Sequence, residues 1–143
     1  MDELPDWSPG TVTILSTGGG GPPHGIPVST ALRAGPRTVL LALGMRRESL
    51  SRLKADPRCA LTVLDGRDVA FTAHATAAVL EEPMAVTDRV AAVRLDVLAL
   101  QDHGQPRFTI ETGVRWRWID AQAECDDAAI RAGLEAIAAA ASS

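Results

Sequence analysis

A chain of 143 residues, 46% apolar and 22% charged, is long enough to bury a sizeable core, and one domain is expected. Its formal charge of −4, pI near 5.3 and scattered basic residues provide no positive field, which argues against a nucleic-acid partner. No apolar run approaches the roughly 18 residues of a membrane-spanning helix, and the acidic start "MDELPDW" is unlike a signal peptide, so a cytoplasmic protein is expected.

The elements read in chain order as strands before helices. "TVTILST" and "HGIPVSTALRAG" are β-prone runs forming a hairpin around four glycines, with the Gly35-Pro36 turn ending the second. "RTVLLALG" is a third strand whose nearly continuous apolar character predicts burial on both faces. In "MRRESLSRLKADPR" the period changes: Leu50 and Leu53 share one helical face, and Asp56-Pro57 stops the helix. "CALTVLDGRDVAFTAHATAAVL" is two strands joined at "DGRD", with Asp65-Gly66 as the turn residues. Glu82-Pro83 reads as the start of another short helix, followed by a strand near Ala92 in which Val93, Leu95, Val97 and Ala99 alternate. A helical stripe of Val86, Val90, Val93 and Val97 leaves that boundary open. After the "QDHGQP" turn, "RFTIETGVRWRWID" is predicted as a further strand, with Val114, Trp116 and Trp118 on one side and Arg115 and Arg117 on the other. An alanine-rich helix capped by an aspartate, over about 126–141, closes the chain. Six or seven strands with three short helices predict a mainly β fold: an antiparallel barrel with crossover helices, not a doubly wound sheet.

The candidate chemistry is sparse. The glycine run leads into Pro22 and Pro23, which remove two N–H donors, and then into a strand, so it reads as a hairpin tip and not a phosphate loop. Cys59 and Cys125 are too far apart in sequence for a Cys-x-x-Cys pair and read as idle thiols. His24, His74 and His103 have no metal-ligand spacing, and His74 is expected in the barrel wall with its ring hydrogen-bonded. Tyrosine is absent, and no Ser-His-Asp order or carboxylate pair stands out, so any redox chemistry would rest on a cofactor. Thirteen arginines against one lysine, Lys54, fit the codon bias of a high-GC bacterial genome.

"PHGIPVS", "VLLALG", "RRESLSRLKADPRCALTV" and "FTAHATA" together resemble the pyridoxamine 5'-phosphate oxidase-like, flavin-binding split-barrel family over about residues 10 to 120. The resemblance implies one split-barrel flavin-binding domain over 1–143, and a homodimer with FMN at the subunit interface. It places Pro27, Val28, Ser29 and Thr30 along the isoalloxazine ring, and Leu43 and Gly44 at the ribityl chain. The family's usual phosphate lysine falls at Ser49, on the helix turn that also holds Leu50, and Arg46 and Arg47 stand nearby as its substitutes. Trp116 and Trp118 could cover a flavin from the second subunit or pack in a core. The implied activity is hydride transfer through flavin N5 to or from a small molecule. Alternatives carried by relatives are a deazaflavin coenzyme, a haem or tetrapyrrole, or no cofactor. Pyridoxamine phosphate oxidation itself is not expected, because the tail "AIAAAASS" lacks basic anchors.

Overall fold

Seven strands and two helices make up the computed structural model, which describes residues 1–141. They are β1 (Thr13–Thr17), β2 (His24–Val28), β3 (Leu32–Gly35), β4 (Thr38–Gly44), α1 (Glu48–Ala55), β5 (Arg58–Asp65), β6 (Val69–Glu81), β7 (Val90–Asp102) and α2 (Ala121–Ala141). All pairings are antiparallel, in one sheet of order β2-β1-β5-β6-β7-β4-β3. β2 and β3 thus lie on opposite edges, although only Ser29, Thr30 and Ala31 separate them in sequence. A flat sheet of this size would hold those edges about 29 Å apart, at roughly 4.8 Å per strand. Four extended residue steps reach about 14 Å at most. The sheet therefore curls into the expected split barrel, open where β2 faces β4 without pairing. Thr30 struts that split: its hydroxyl accepts from the Ala42 N–H (3.0 Å) and is also 3.3 Å from the Ala42 carbonyl oxygen, to which it donates.

Strand alternation explains the core. Leu15, Val39, Leu41, Leu61, Val63, Phe71, Val93 and Leu95 point inward and are fully buried, and Trp7 closes one end against Phe71 with its ring centroid 5.8 Å away. A second cluster lies outside the barrel, where Leu40, Met84 and Ala92 pack under Leu134 of α2. β4 is apolar from Val39 to Leu43 because both its faces are covered, as its sequence predicts. α1 buries Leu50 and Leu53 and ends where the Asp56 N–H donates to Arg52 O (2.9 Å), just before Pro57.

The glycine loop is indeed a turn, and Arg52 holds it. This buried arginine, on the inner face of α1, donates from Nη1 to the Gly19 and Pro22 carbonyls (3.2 and 2.9 Å) and from Nη2 to Glu48 (3.1 Å). Gly20 and Gly21 adopt φ of 81° and 156°, and a Cβ on Gly19 would stand 2.5 Å from the Arg52 carbonyl oxygen. Gly19→Ala is expected to lower unfolding free energy by about 1–3 kcal/mol, because backbone must shift to admit the methyl group. An unchanged denaturant midpoint would show that the loop gives way freely.

Four sequence expectations are corrected. "HGIPVSTALRAG" is two strands, β2 and β3, because the chain leaves one sheet edge and joins the other. Residues 82–89 form no helix but the β6–β7 connection, in which the Met84 N–H donates to Val90 O (2.9 Å); β7 begins at Val90. Residues 107–119 form no strand, since no neighbouring strand pairs with them. They run as a strap over the β5–β6 turn, where Asp68 N–H donates to Ile110 O (3.2 Å) and Ile110 N–H to Asp68 Oδ1 (3.0 Å). The closing helix begins at Ala121, capped by Asp120 Oδ1 on the Ala123 N–H (2.8 Å), so two helices replace the three expected. In the β5–β6 turn, Arg67 and Asp68 take the positive φ values (61° and 60°), while Gly66 is needed because a Cβ there would meet Glu111 O at 2.7 Å.

Asp65 ties the N-terminal segment to this turn by accepting the Ser8 N–H (2.7 Å). Burial works to raise its carboxyl, but hydrogen bonds from the Ser8 and Gly66 backbone and the Ser8 hydroxyl outweigh it and hold the pKa below the ordinary carboxylate value. A depressed folded pKa adds stability above the ordinary carboxylate range that disappears as pH falls through the folded value. Asp65→Asn is therefore expected to be less stable than wild type near neutrality, with the gap in melting temperature narrowing in acid. A gap constant with pH would exclude the charge as its source.

Candidate functional site

Some of the expected site residues meet at the split. Pro27, Val28, Ser29, Thr30, Leu43 and Gly44, with Ile26, Ala42 and Arg47, line a cleft of about 210 Å³ between β2 and β4. β2 is an edge strand, and beyond Leu40 the β3 side of β4 has no partner strand, so both walls present backbone to the cleft. Pro27 is exposed and Val28 buried, as alternation on an edge strand requires. The Ser29 carbonyl is already engaged by Arg131 Nη2 of α2 (2.8 Å), and the Thr30 hydroxyl by Ala42. Both serve as struts that fix the cleft's shape.

A second cleft of about 540 Å³ continues from the first, since Gly44 and Arg47 belong to both; its other walls are Met45, Arg46, Asp88 and Arg89. The Arg46 and Arg47 side chains are exposed and have no hydrogen-bond or ion-pair partner among the described residues. They sit just before α1, as the sequence places them. Ser49 and Leu50 differ: both are buried in the first turn of α1 and line neither cleft, Leu50 belonging to the core and Ser49 Oγ having no hydrogen-bond partner. Lys54 is paired with Glu82, away from these arginines.

Trp116 and Trp118 pack edge to face, 4.6 Å between centroids, on the strap, where Trp116 Nε1 donates to Gly10 O (2.9 Å). Within one chain they lie at the N-terminal segment and not at the split. His74 lies in the wall on β6, but its side chain is exposed and its ring makes no hydrogen bond among the described residues, contrary to expectation, whereas His103 Nε2 lies 2.8 Å from Thr72 Oγ1. Cys59 is buried, which pushes its thiol up to about 11, and Cys125 is exposed on α2. No cluster of His, Cys, Asp or Glu among the described residues is arranged to hold a metal ion, and no described helix is long and apolar enough to cross a membrane.

Two residues escaped the sequence reading. Arg52 follows Ser49 at helical spacing on the face that carries Leu53, and a charge on an apolar face is the signal that could have exposed it. Arg89 lies in the segment misread as helix; the Met45 N–H donates to its carbonyl (2.9 Å) and brings it to the cleft. A more enclosed cavity of about 160 Å³ lies between Trp7, Leu32 and Leu134. Its arginines are already engaged, Arg33 with Leu4 O and Arg131 with Asp127 and Ser29 O, so it offers a ligand less than the split does.

No protein-family model and no curated protein matches the chain. Solved structures do. A Lactobacillus delbrueckii protein assigned as a pyridoxamine 5'-phosphate oxidase is 21% identical, with a TM-score of 0.55 over 63% of this chain and 83% of that one. An F420 reductase is 13% identical, with a TM-score of 0.56 over 66% and 91%. A Mycobacterium thermoresistibile homologue of nitrilotriacetate monooxygenase component B is 18% identical, with a TM-score of 0.53 over 78% and 87%. In its curled seven-stranded sheet, with two facing strands left unpaired, this chain has the split-barrel fold of the pyridoxamine 5'-phosphate oxidase-like proteins.

Proposed function

We propose that the cleft between β2 and β4 binds the ring of a flavin-type cofactor, FMN in the first instance, and that the protein is an oxidoreductase acting on a small molecule. The observation that carries this reading is the convergence of Pro27–Thr30, from one edge of the sheet, with Leu43 and Gly44 of β4 and two unpartnered arginines from the turn before α1. The residues fit the group. Unpaired backbone suits the polar edge of a flat ring, Gly44 lets the Arg47 stem lie against the strand end, where a Cβ would meet Arg47 Cγ at 2.7 Å, and guanidinium forks suit a phosphate. The F420 reductase and an FAD-binding protein from Mesorhizobium loti among the similar structures accord with a flavin-type ligand.

When bound, the flavin supplies hydride transfer at N5. The chain's own part is to position and shield it: Arg46 and Arg47 anchor the phosphate, the Thr30 and Arg131 hydrogen bonds fix the position of the β2-side wall, and apolar Val28 and Leu43 exclude water. The reading also makes the protein a cytoplasmic homodimer, whose second copy brings Trp116 and Trp118 toward the ring. Elution as a dimer at micromolar concentration is expected, and a stable monomer would remove that part.

The direct test is the absorption spectrum of protein purified without added cofactor, followed by fluorescence titration with FMN and with the deazaflavin coenzyme. Saturable FMN binding supports the proposal. A Soret band, or no binding of either ring, overturns it in favour of a tetrapyrrole-binding or cofactor-free protein; deazaflavin binding alone keeps the cleft and changes the cofactor.

A further inference from the structure

The enclosed cavity between the N-terminal segment, the start of β3 and α2 has no part in the flavin chemistry. Its volume of about 160 Å³ is close to the roughly 150 Å³ in which a protein interior can hold one benzene-sized ring. Buried Leu134 forms its floor, and Trp7 and Leu32 are apolar walls. Trp7 is already fixed, because its Nε1–H donates to Ala31 O (3.0 Å) and its ring packs on Phe71. That wall is formed before any ligand arrives, which lowers the ordering cost of binding.

The charges around the cavity select the sign of its ligand. Both lining arginines are engaged, Arg33 with Leu4 O and Arg131 with Asp127 and Ser29 O. The lining carboxylates are freer. Asp6 is exposed and 3.8 Å from Arg33 Nε, and Glu135, also exposed, has no hydrogen-bond or ion-pair partner among the described residues. An anion would have to compete for the arginines, whereas a cation meets Glu135 without displacing anything. We infer that this cavity binds a small organic cation, one apolar ring carrying an ammonium group, with the ring between Trp7, Leu32 and Leu134 and the ammonium at Glu135. Thr30 lines both this cavity and the ring cleft, so the site lies beside the proposed flavin pocket, and it does not depend on that proposal.

Benzylamine, benzyl alcohol and benzoate are the probes, titrated into the full chain and read by NMR at the Trp7 indole N–H, a signal assigned with Trp7→Phe. Benzylamine is expected to move it saturably. Benzyl alcohol should bind about two- to fivefold more weakly, by the scale of one exposed ion pair, and benzoate more weakly still. Glu135→Gln should bring benzylamine down to the level of benzyl alcohol and leave benzyl alcohol unchanged, a split that a general loosening of α2 would not produce. Leu32→Phe, which enlarges a half-buried wall, should weaken both ligands by about fivefold or more. Melting curves without ligand show which variants are folded, and Glu135→Gln decides alone if Leu32→Phe is not. No saturable shift at Trp7, equal affinity for benzylamine and benzoate, or unchanged benzylamine binding in Glu135→Gln overturns the inference. FMN titrated into the same samples separates the two readings. FMN binding with a silent Trp7 overturns the cation site and leaves the flavin proposal standing; Glu135-dependent benzylamine binding without FMN binding supports the cation site and removes the flavin.

Discussion

Replacing Arg46 and Arg47 together by alanine is expected to weaken FMN binding by about 2–3 kcal/mol, roughly 30- to 150-fold in Kd. The two side chains lie in the cleft that continues from the ring cleft, and neither is held by another protein group. Their removal therefore subtracts ligand contacts without leaving a buried partner unpaired, and the melting temperature of the free protein should barely change. The effect is also electrostatic, so it should shrink as salt is raised. Riboflavin provides the control: without a phosphate it should bind the double variant as it binds wild type. If FMN affinity were the same in both proteins, the phosphate would have to lie elsewhere.

Leu134→Ala is expected to cost about 2–5 kcal/mol, the largest effect on stability of any substitution proposed. Leu134 is the buried residue of α2, only 1% exposed, and it packs on Leu40, Met84 and Ala92. Half of the other residues of the helix are alanine, with Ile130 and Ile137 as partly buried neighbours, so Leu134 carries much of its apolar contact with the barrel. Arg131, one turn away, braces Ser29 in the wall of the cleft. Loosening α2 should consequently weaken flavin binding as well as folding, although Leu134 does not line the ring cleft. Denaturant unfolding and flavin titration on the same variant would measure both; a loss of stability with intact flavin affinity would uncouple the helix from the site.

The sequence exposed those parts of the fold that depend on local pattern. The apolar run of β4, the helix from Glu48 to the Asp56-Pro57 stop, and the β5–β6 hairpin all carry signals within a few residues. Failures came where the partner decides the structure. Val86, Val90, Val93 and Val97 satisfy a helical stripe on paper, yet Val90 onward is pulled into the sheet by β4. The alternation in residues 107–119 has no strand beside it to use its hydrogen bonds, and the segment lies on a turn instead. Proline at 83 fits the first turn of a helix and equally the link between two long strands. At the site, the family resemblance located Pro27–Thr30, Leu43–Gly44 and Arg46–Arg47 where the clefts are. It could not show that Ser49 and Leu50 turn inward, since that follows from how α1 sits on the barrel. Arg89 was missed for the same reason as its segment: its placement depends on a backbone bond to Met45, far away in sequence.

The short link through Ser29, Thr30 and Ala31 also sets a rule for redesign. Because this tether joins the two outermost strands, the width of the opening is governed by covalent length before any side chain is chosen. Lengthening it by even one or two residues would let the two margins drift apart and change which ring shapes fit. Recutting the chain there, as a circular permutant, would turn a gap of fixed width into a hinge.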